Sequence, residues 1–159
     1  MKSTDHIELG IDKNFNFLLP AQKNPENTYY KATFSPKHPS IGEKHESTNC
    51  YYQSLTSKNV SLIGQNLSGS DPWIRQIAIV IPRTFKDGTH FILPEENGEI
   101  FAAIAADGEV SYATEGEVTF ERDNSNQTIT ARFQFKATQN GVLYNVQNGE
   151  LRLIATGPL

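Results

Sequence analysis

The feature that most constrains the fold is a pair of alternating segments joined by a turn, within residues 117–136. Val118 and Phe120 alternate with polar neighbours before the turn. After it, the alternating apolar residues are Ile129, Ala131, Phe133 and Phe135. Residues 123–126, Asp-Asn-Ser-Asn, have the chemistry of a tight turn. Period-two alternation on both sides of such a turn predicts an antiparallel hairpin with one buried face and one face in water.

Further strands are predicted on both sides of this hairpin. Residues 77–81 read Ile-Ala-Ile-Val-Ile, so both faces are apolar and a central strand is expected. Asp107-Gly108 is a strong hairpin signal. Asn148-Gly149 predicts a turn between two short strands at 142–146 and 151–155. At 159 residues, the chain is expected to form a single all-β domain over residues 1–159, an antiparallel β-sandwich or β-barrel of roughly 8–10 short strands.

The N-terminal part is predicted to be less regular. Apolar residues alternate in two pieces of residues 7–19, which predicts two short strands. Residues 28–34 form a strand in which Tyr30 faces inward and Tyr29 outward. Residues 35–49 are mostly polar, show no apolar period and include Pro36, Pro39 and Gly42, which predicts a long N-terminal loop. Loops of that length inside a compact domain are usually functional.

Charge and hydropathy argue against two classes of function. The net charge of -4 disfavours a nucleic-acid binder, because such proteins carry a basic patch or stripe. No apolar run approaches the ~20 residues of a membrane span. The start of the chain has Lys2 but no apolar stretch after it, unlike a signal peptide. A cytoplasmic protein is therefore expected, or an exported one whose leader has been removed. The single cysteine, Cys50, excludes an intramolecular disulfide.

From residue 59 to about residue 156 the order of strands and turns matches a recurring pattern. Its parts are Val60-Ser61-Leu62-Ile63, the isoleucine-rich strand at 77–81, Gly88-Thr89-His90-Phe91, and the segments 116–120, 128–137 and 148–151. This pattern resembles a group of small bacterial all-β domains of unknown function, many of them lipoproteins. The group often has a glycine where this chain has Ala131, and the lipobox cysteine of its lipoprotein members is absent. The resemblance implies an antiparallel sandwich or barrel and carries over no catalytic residue.

No motif commits the chain to a metal, a cofactor or a nucleophile. The spacing of His38, His45 and Cys50 fits no standard zinc pattern, so the histidines are expected to be solvated loop residues. No Gly-x-Ser-x-Gly elbow is present. Glu117 and Glu121 would lie about 13 Å apart along a strand, beyond the roughly 5–9.5 Å of glycosidase carboxylates. They are expected to form a solvated charge ladder with Arg132, Gln134 and Lys136 on the opposite strand.

The aromatic residues next to loops are the candidate recognition residues. Tyr and Trp are favoured in binding surfaces because they combine rigid contact area with a polar tip. The candidates for ligand or partner binding are Tyr29, Tyr51, Tyr52, Trp73, His38 and His45. An alternative is that the tyrosines cover the open ends of the sheet.

Two classes of function remain. The first is a non-catalytic binding module for a protein partner, in an immunity-like or toxin-associated role, or for a small apolar or sugar ligand. It would use the 35–49 loop, the tyrosines on either side of it and Trp73, and if these prove unimportant, the exposed face of the 117–136 hairpin is the next candidate. The second is a hydrolase-like enzyme with a site assembled from loops.

Overall fold

The protein is an all-β domain built on one curled antiparallel sheet. A computed structural model describes residues 6–12, 14, 16–19, 25–66, 74–97, 99–157 and 159. Within these residues there are ten strands, two three-residue 3-10 helices at Ile7–Leu9 and Glu95–Asn97, and no α-helix. None of the described helices is long and apolar enough to cross a membrane.

The ten strands are β1 Tyr29–His38, β2 Gly42–Glu46, β3 Asn49–Gln53, β4 Asn59–Gln65, β5 Gln76–Pro82, β6 Gly88–Ile92, β7 Phe101–Ala106, β8 Glu109–Asp123, β9 Thr128–Gln139 and β10 Val142–Ile154. Their order in the sheet is β2-β1-β10-β9-β8-β7-β5-β4-β3, with β6 beside β8. The sheet curls until its two ends approach each other. There the Tyr30 hydroxyl donates to the Leu62 carbonyl over 2.9 Å, which joins β1 to β4.

The predicted hairpin is confirmed as β8 and β9. Asp123 pairs with Thr128 across the turn, and Phe120 pairs with Ala131 further along. The inward residues of both strands are buried, while Thr119 and Arg132 between them are exposed. The alternation in the sequence therefore identified the correct face of each strand.

The core consists of two clusters on opposite faces of the sheet. The inner cluster contains alternating residues of the two predicted elements, Ile77, Ile79 and Ile81 of β5 and Phe120, Phe133 and Phe135 of the hairpin. The outer cluster lies on β3, β4, β5 and β7, and it unites Ala78 and Val80 of β5 with Leu9 and Ile11 of the N-terminal segment. This covering explains why both faces of β5 are apolar.

The expectation of two short strands at residues 7–19 is wrong. Ile7–Leu9 is a 3-10 helix, and Ile11 makes isolated bridges to His6 and Phe17. Polar side chains of the sheet hold this segment, since Gln76 Nε2 donates to the Leu9 carbonyl over 2.8 Å and Ser61 Oγ donates to the Glu8 carbonyl over 2.5 Å. The segment therefore gains hydrogen bonds from the sheet face it covers as well as from its own isolated bridges.

The expectation of a long loop at residues 35–49 is also wrong. β1 continues to His38, the chain turns at 39–41, and β2 returns antiparallel to β1. β2 is an edge strand that exposes Glu43, Lys44 and Glu46 and buries the side chain of His45. Its inward position is occupied by a histidine, so a search for apolar alternation finds no strand there.

The two C-terminal strands expected on either side of Asn148-Gly149 are a single strand, β10. Its register with β9 shifts between Val146 and Gly149, which marks a β-bulge. Asn148 has a φ of 54°, and a Cβ on Gly149 would lie 2.4 Å from the Phe133 ring. Asn148-Gly149, a residue pair that favours tight turns, thus forms a bulge instead, and the Phe133 ring packs against the backbone there.

Replacement of Phe133 by alanine should lower the free energy of unfolding by about 3–5 kcal/mol. The side chain is 4% exposed and its ring contacts that of Tyr30 at a centroid distance of 5.7 Å. Denaturant titration measures the change, with the exposed neighbour Gln134→Ala as the control. A loss below about 1 kcal/mol would contradict the assignment of the inner face.

Replacement of Gly64 by alanine should lower the free energy of unfolding by about 1–3 kcal/mol, because it disturbs the contact that closes the sheet. A Cβ at this position would lie 2.4 Å from both Tyr30 Cγ and Ser47 Oγ. Gly157→Ala is the matched control, because nothing lies within 4 Å of a Cβ there. Equal melting temperatures for the two variants would show that β1 and β4 are not held in close contact.

Candidate functional site

The two tyrosines of β3, expected to be recognition residues, are buried and do not reach the protein surface. Tyr51 is 1% exposed and Tyr52 is 2% exposed. Tyr51 belongs to the outer cluster and packs against Phe17 at a centroid distance of 5.1 Å, while Tyr52 belongs to the inner cluster. Both faces of β3 are therefore covered, although it is an edge strand, because the N-terminal segment packs on the outer face of the sheet.

Tyr29 is the candidate aromatic that reaches solvent. It lies on β1 in the opposite phase to Tyr30, with 38% of its surface exposed against 1% for Tyr30. The Lys31 ammonium lies 5.5 Å from its ring centroid. Trp73 lies outside the described residues.

His38 is a buried part of the structure and not a solvated loop residue. Its Nδ1 accepts hydrogen bonds from the backbone N–H groups of Ser40 at 3.0 Å and Ile41 at 3.2 Å. Nε2 therefore carries the hydrogen and donates to Gln139 Oε1 at 2.7 Å. The Gln139 amide in turn donates to the Glu109 carbonyl. This chain fastens the β1–β2 turn to β8 and β9.

His45 is also buried, with no exposed surface. Its Nε2 lies 3.2 Å from the Gly64 carbonyl and 2.9 Å from Ser47 Oγ, which links edge strand β2 to β4. Burial lowers the pKa of His45 from 6.5 to about 4, and the hydrogen bond to the Gly64 carbonyl opposes this shift. The expectation of a solvated histidine fails because β2 turns this side chain toward β4.

The outward side chains of β8, β9 and β10 line three adjoining hollows of about 360, 350 and 790 Å³. The first two share Glu117 and Gln134 as lining residues. The second and third share Thr119, Arg132 and Glu150. The three hollows therefore form one continuous depression, here called the outer trough.

An exposed aromatic side chain lies at each end of the outer trough. Phe91 on β6 lines the first hollow and is 72% exposed, and Tyr29 lines the third. Phe91 pairs with Glu117 of β8, while its neighbour Ile92 points into the core. Both rings project from strands of the sheet, so their positions are fixed by main-chain pairing.

The charges of the outer trough are only partly compensated. Lys136 Nζ lies 3.7 Å from Glu115 Oε1 at one end. Arg122 Nη1 lies 3.0 Å from Asp87 Oδ1 at the other. The carboxylates of Glu117, Glu121 and Glu150 make no ion pair with any described residue. In the observed register Glu117 faces Gln134 and Glu121 faces Thr130, so the ladder expected from Glu117 and Glu121 does not form among the described residues. Lys136 pairs with Glu115 instead.

The sequence alone did not single out Phe91. Residues 91–93 read Phe-Ile-Leu, and three consecutive apolar residues do not reveal which one faces solvent. The pairing of β6 with β8 sets the phase, since Thr89 and Phe91 then share the outward face. The hydrogen bond of 2.7 Å between the Thr89 and Thr119 hydroxyls is on that face.

The described residues contain no group of three or more His, Cys, Asp or Glu side chains arranged to hold a metal ion. No protein family, curated protein or solved structure matches this chain. The candidate functional site is therefore identified by its geometry alone, as the outer trough on the exposed face of the β8–β9 hairpin.

Acidification should destabilise the protein through His45. Its folded pKa of about 4 lies below the unfolded value of 6.5, so the unfolded state binds the proton first and stability falls as the pH drops from 6.5 toward 4. The full effect is about 3 kcal/mol. Urea titrations at several pH values should show this fall in the free energy of unfolding in the native chain and in His90→Gln. The fall should be absent in His45→Gln. The same pH dependence in all three proteins would contradict the assignment.

Proposed function

We propose that this protein is a non-catalytic binding module that recognises an extended segment of a partner protein across the outer trough. The observation that carries the proposal is Phe91, an aromatic side chain left 72% exposed on a paired strand. The hollow beside it is lined by Leu93 and Val146 as well as polar side chains. Exposed aromatic rings beside such hollows are typical anchors of protein interfaces.

The charges favour a basic partner segment. Glu117, Glu121 and Glu150 are exposed or half-exposed and unpaired among the described residues. Glu117 and Glu121 point the same way on β8, about 13 Å apart along the strand. An extended peptide has the same rise per residue, so Lys or Arg side chains four positions apart would match both carboxylates.

A second copy of the chain is a poorer occupant than a basic partner. Each copy has a net charge of -4, and two outer troughs face to face would oppose their unpaired carboxylates. An immunity-like or toxin-associated role, expected from the sequence, is one form of recognition of a basic protein segment. No geometry among the described residues favours the hydrolase-like alternative.

Selection from a phage-displayed peptide library tests the proposal. We expect peptides enriched in Lys or Arg four positions apart with an apolar residue beside one of them. Phe91→Ala should weaken their binding at least about tenfold, and Glu117→Gln or Glu121→Gln about two- to fivefold. Leu18→Ala and Glu43→Gln are controls, because both residues are exposed and neither lines the outer trough.

Two results would contradict the protein-partner proposal. One is the selection of peptides whose affinity does not change with Phe91→Ala. The other is specific binding on a glycan array that Phe91→Ala abolishes, which would make the outer trough a sugar site. Circular dichroism of each variant confirms that the fold is intact.

A further inference from the structure

β6, Gly88–Ile92, is a short strand at an edge of the sheet, and among the described strands it pairs only with β8. An edge strand can offer unpaired main-chain N–H and C=O groups to an extended chain that approaches it. Which groups β6 offers depends on which of its residues direct their main chain away from β8.

The regular pairing of β9 determines that direction. Gln139 pairs with Val142 across the two-residue turn between β9 and β10, and residues that close such a turn exchange both main-chain hydrogen bonds. Burial alternates without interruption from Ile129 to Gln139, so the main-chain groups of β9 alternate regularly between β10 and β8. The main chain of Arg132 therefore points toward β8 and bonds to Thr119, its partner there.

The same alternation continues across β8 into β6. Because Thr119 directs its main-chain groups toward β9, its pairing with Thr89 is a non-hydrogen-bonded one, and the N–H and C=O of Thr89 point away from β8. Phe91, two residues further along, has the same orientation. The backbone N–H of Arg122 agrees with this phase, since it donates over 3.0 Å to Asp87 Oδ2 on the β6 side of β8.

The open edge of β6 lacks the features that protect the other two edge strands. The outward main-chain groups of Thr89 and Phe91 have no hydrogen-bond partner among the described residues. β2 exposes charged side chains, which oppose the approach of another strand. On β3 the Tyr52 carbonyl accepts a hydrogen bond from Thr156 Oγ1. The side chains that β6 exposes are instead an uncharged threonine and an aromatic ring.

We propose that an extended segment of the partner protein adds to the sheet as an antiparallel strand beside β6. This inference rests on the proposed function and names the main-chain contact through which the partner is held at the outer trough. In this mode of recognition main-chain hydrogen bonds supply affinity, and the side chains of alternate residues supply specificity. The antiparallel direction is that of every strand pair described in the sheet, and it is the more stable one per residue.

Charge and burial define the segment that fits. Its residues opposite Thr89 and Phe91 face outward, and a lysine or arginine beside Phe91 can lay its stem on the ring and direct its charge toward Glu117, which pairs with Phe91. Glu117 has no ion pair among the described residues. The residues between them face inward beside His90, whose half-buried ring packs against Phe85 at a centroid distance of 5.2 Å. The segment should therefore alternate basic or polar residues with apolar ones.

A fluorescein-labelled peptide of sequence Val-Lys-Val-Thr-Val-Lys-Val has this pattern and is the probe. In an antiparallel strand the N–H of its outward threonine points toward β6, while the N–H of the next valine points away. N-methylation of the threonine should weaken binding at least about fivefold, and N-methylation of that valine less than about twofold. Fluorescence anisotropy measures the affinities.

Thr89→Pro tests the same contact from the protein side, because it removes one outward N–H. Proline is tolerated in an edge strand when the missing N–H faces away from the neighbouring strand. Thr89→Val is the matched control, since it removes only the hydroxyl. We expect Thr89→Pro to weaken binding of the probe at least about fivefold and Thr89→Val less than about twofold. Circular dichroism shows whether both variants keep the fold.

Three results would overturn the added strand. Equal affinities of the two N-methylated peptides would show that no main-chain pairing forms, and absence of binding of the probe to the native chain would show that the segment is wrong. Both leave the proposed function standing, because that is tested by library peptides and Phe91→Ala. The third is a dimer in sedimentation equilibrium that Thr89→Pro dissociates, which would assign the edge to a second copy of the chain.

Discussion

The structure depends on the contact between β1 and β4 that closes the curled sheet. Gly64 allows the Tyr30 ring to pack against the backbone of β4, where any Cβ would collide with it. The Tyr30 hydroxyl then reaches the Leu62 carbonyl, and burial raises the pKa of Tyr30 well above its ordinary value, so the donor keeps its proton. His45 adds a second link, from β2 to the Gly64 carbonyl. Without this contact the inner faces of the end strands would remain open to water.

Closure also decides which face of the sheet stays uncovered. The inner face of the sheet is occupied by its own side chains, and the outer face of β3, β4, β5 and β7 is covered by the N-terminal segment. The outer face of β8, β9 and β10 has no such cover among the described residues. The polar side chains of these strands and the aromatic rings of Tyr29 and Phe91 therefore face solvent together.

The two histidines of the β1–β2 hairpin are both buried but differ in their hydrogen bonding. His38 is fully paired and fixes a turn, which leaves it nothing to offer a ligand. His45 is paired on one nitrogen and unpaired on the other, beside a cavity. Two histidines of the same hairpin thus differ in hydrogen bonding because of the groups that surround them.

The sequence by itself determined the all-β class, the β8–β9 hairpin and the inner face of the core. Alternation of period two is a local property, and residues such as Phe120 and Phe133 obey it because each strand has one buried face. The sequence also predicted that Tyr29 and Tyr30 face opposite sides, which follows from strand geometry alone.

Only the tertiary structure decided the rest, because those features depend on partners distant in sequence. β2 is a strand through its pairing with β1, although its inward residue is His45. Tyr51 and Tyr52 are buried because separate parts of the chain cover the two faces of β3. Phe91 is exposed because β6 pairs with β8 in one register, and a shift by one residue would have exposed Ile92 instead. The outer trough exists only where β8, β9 and β10 lie side by side, so no single segment of the sequence could reveal it.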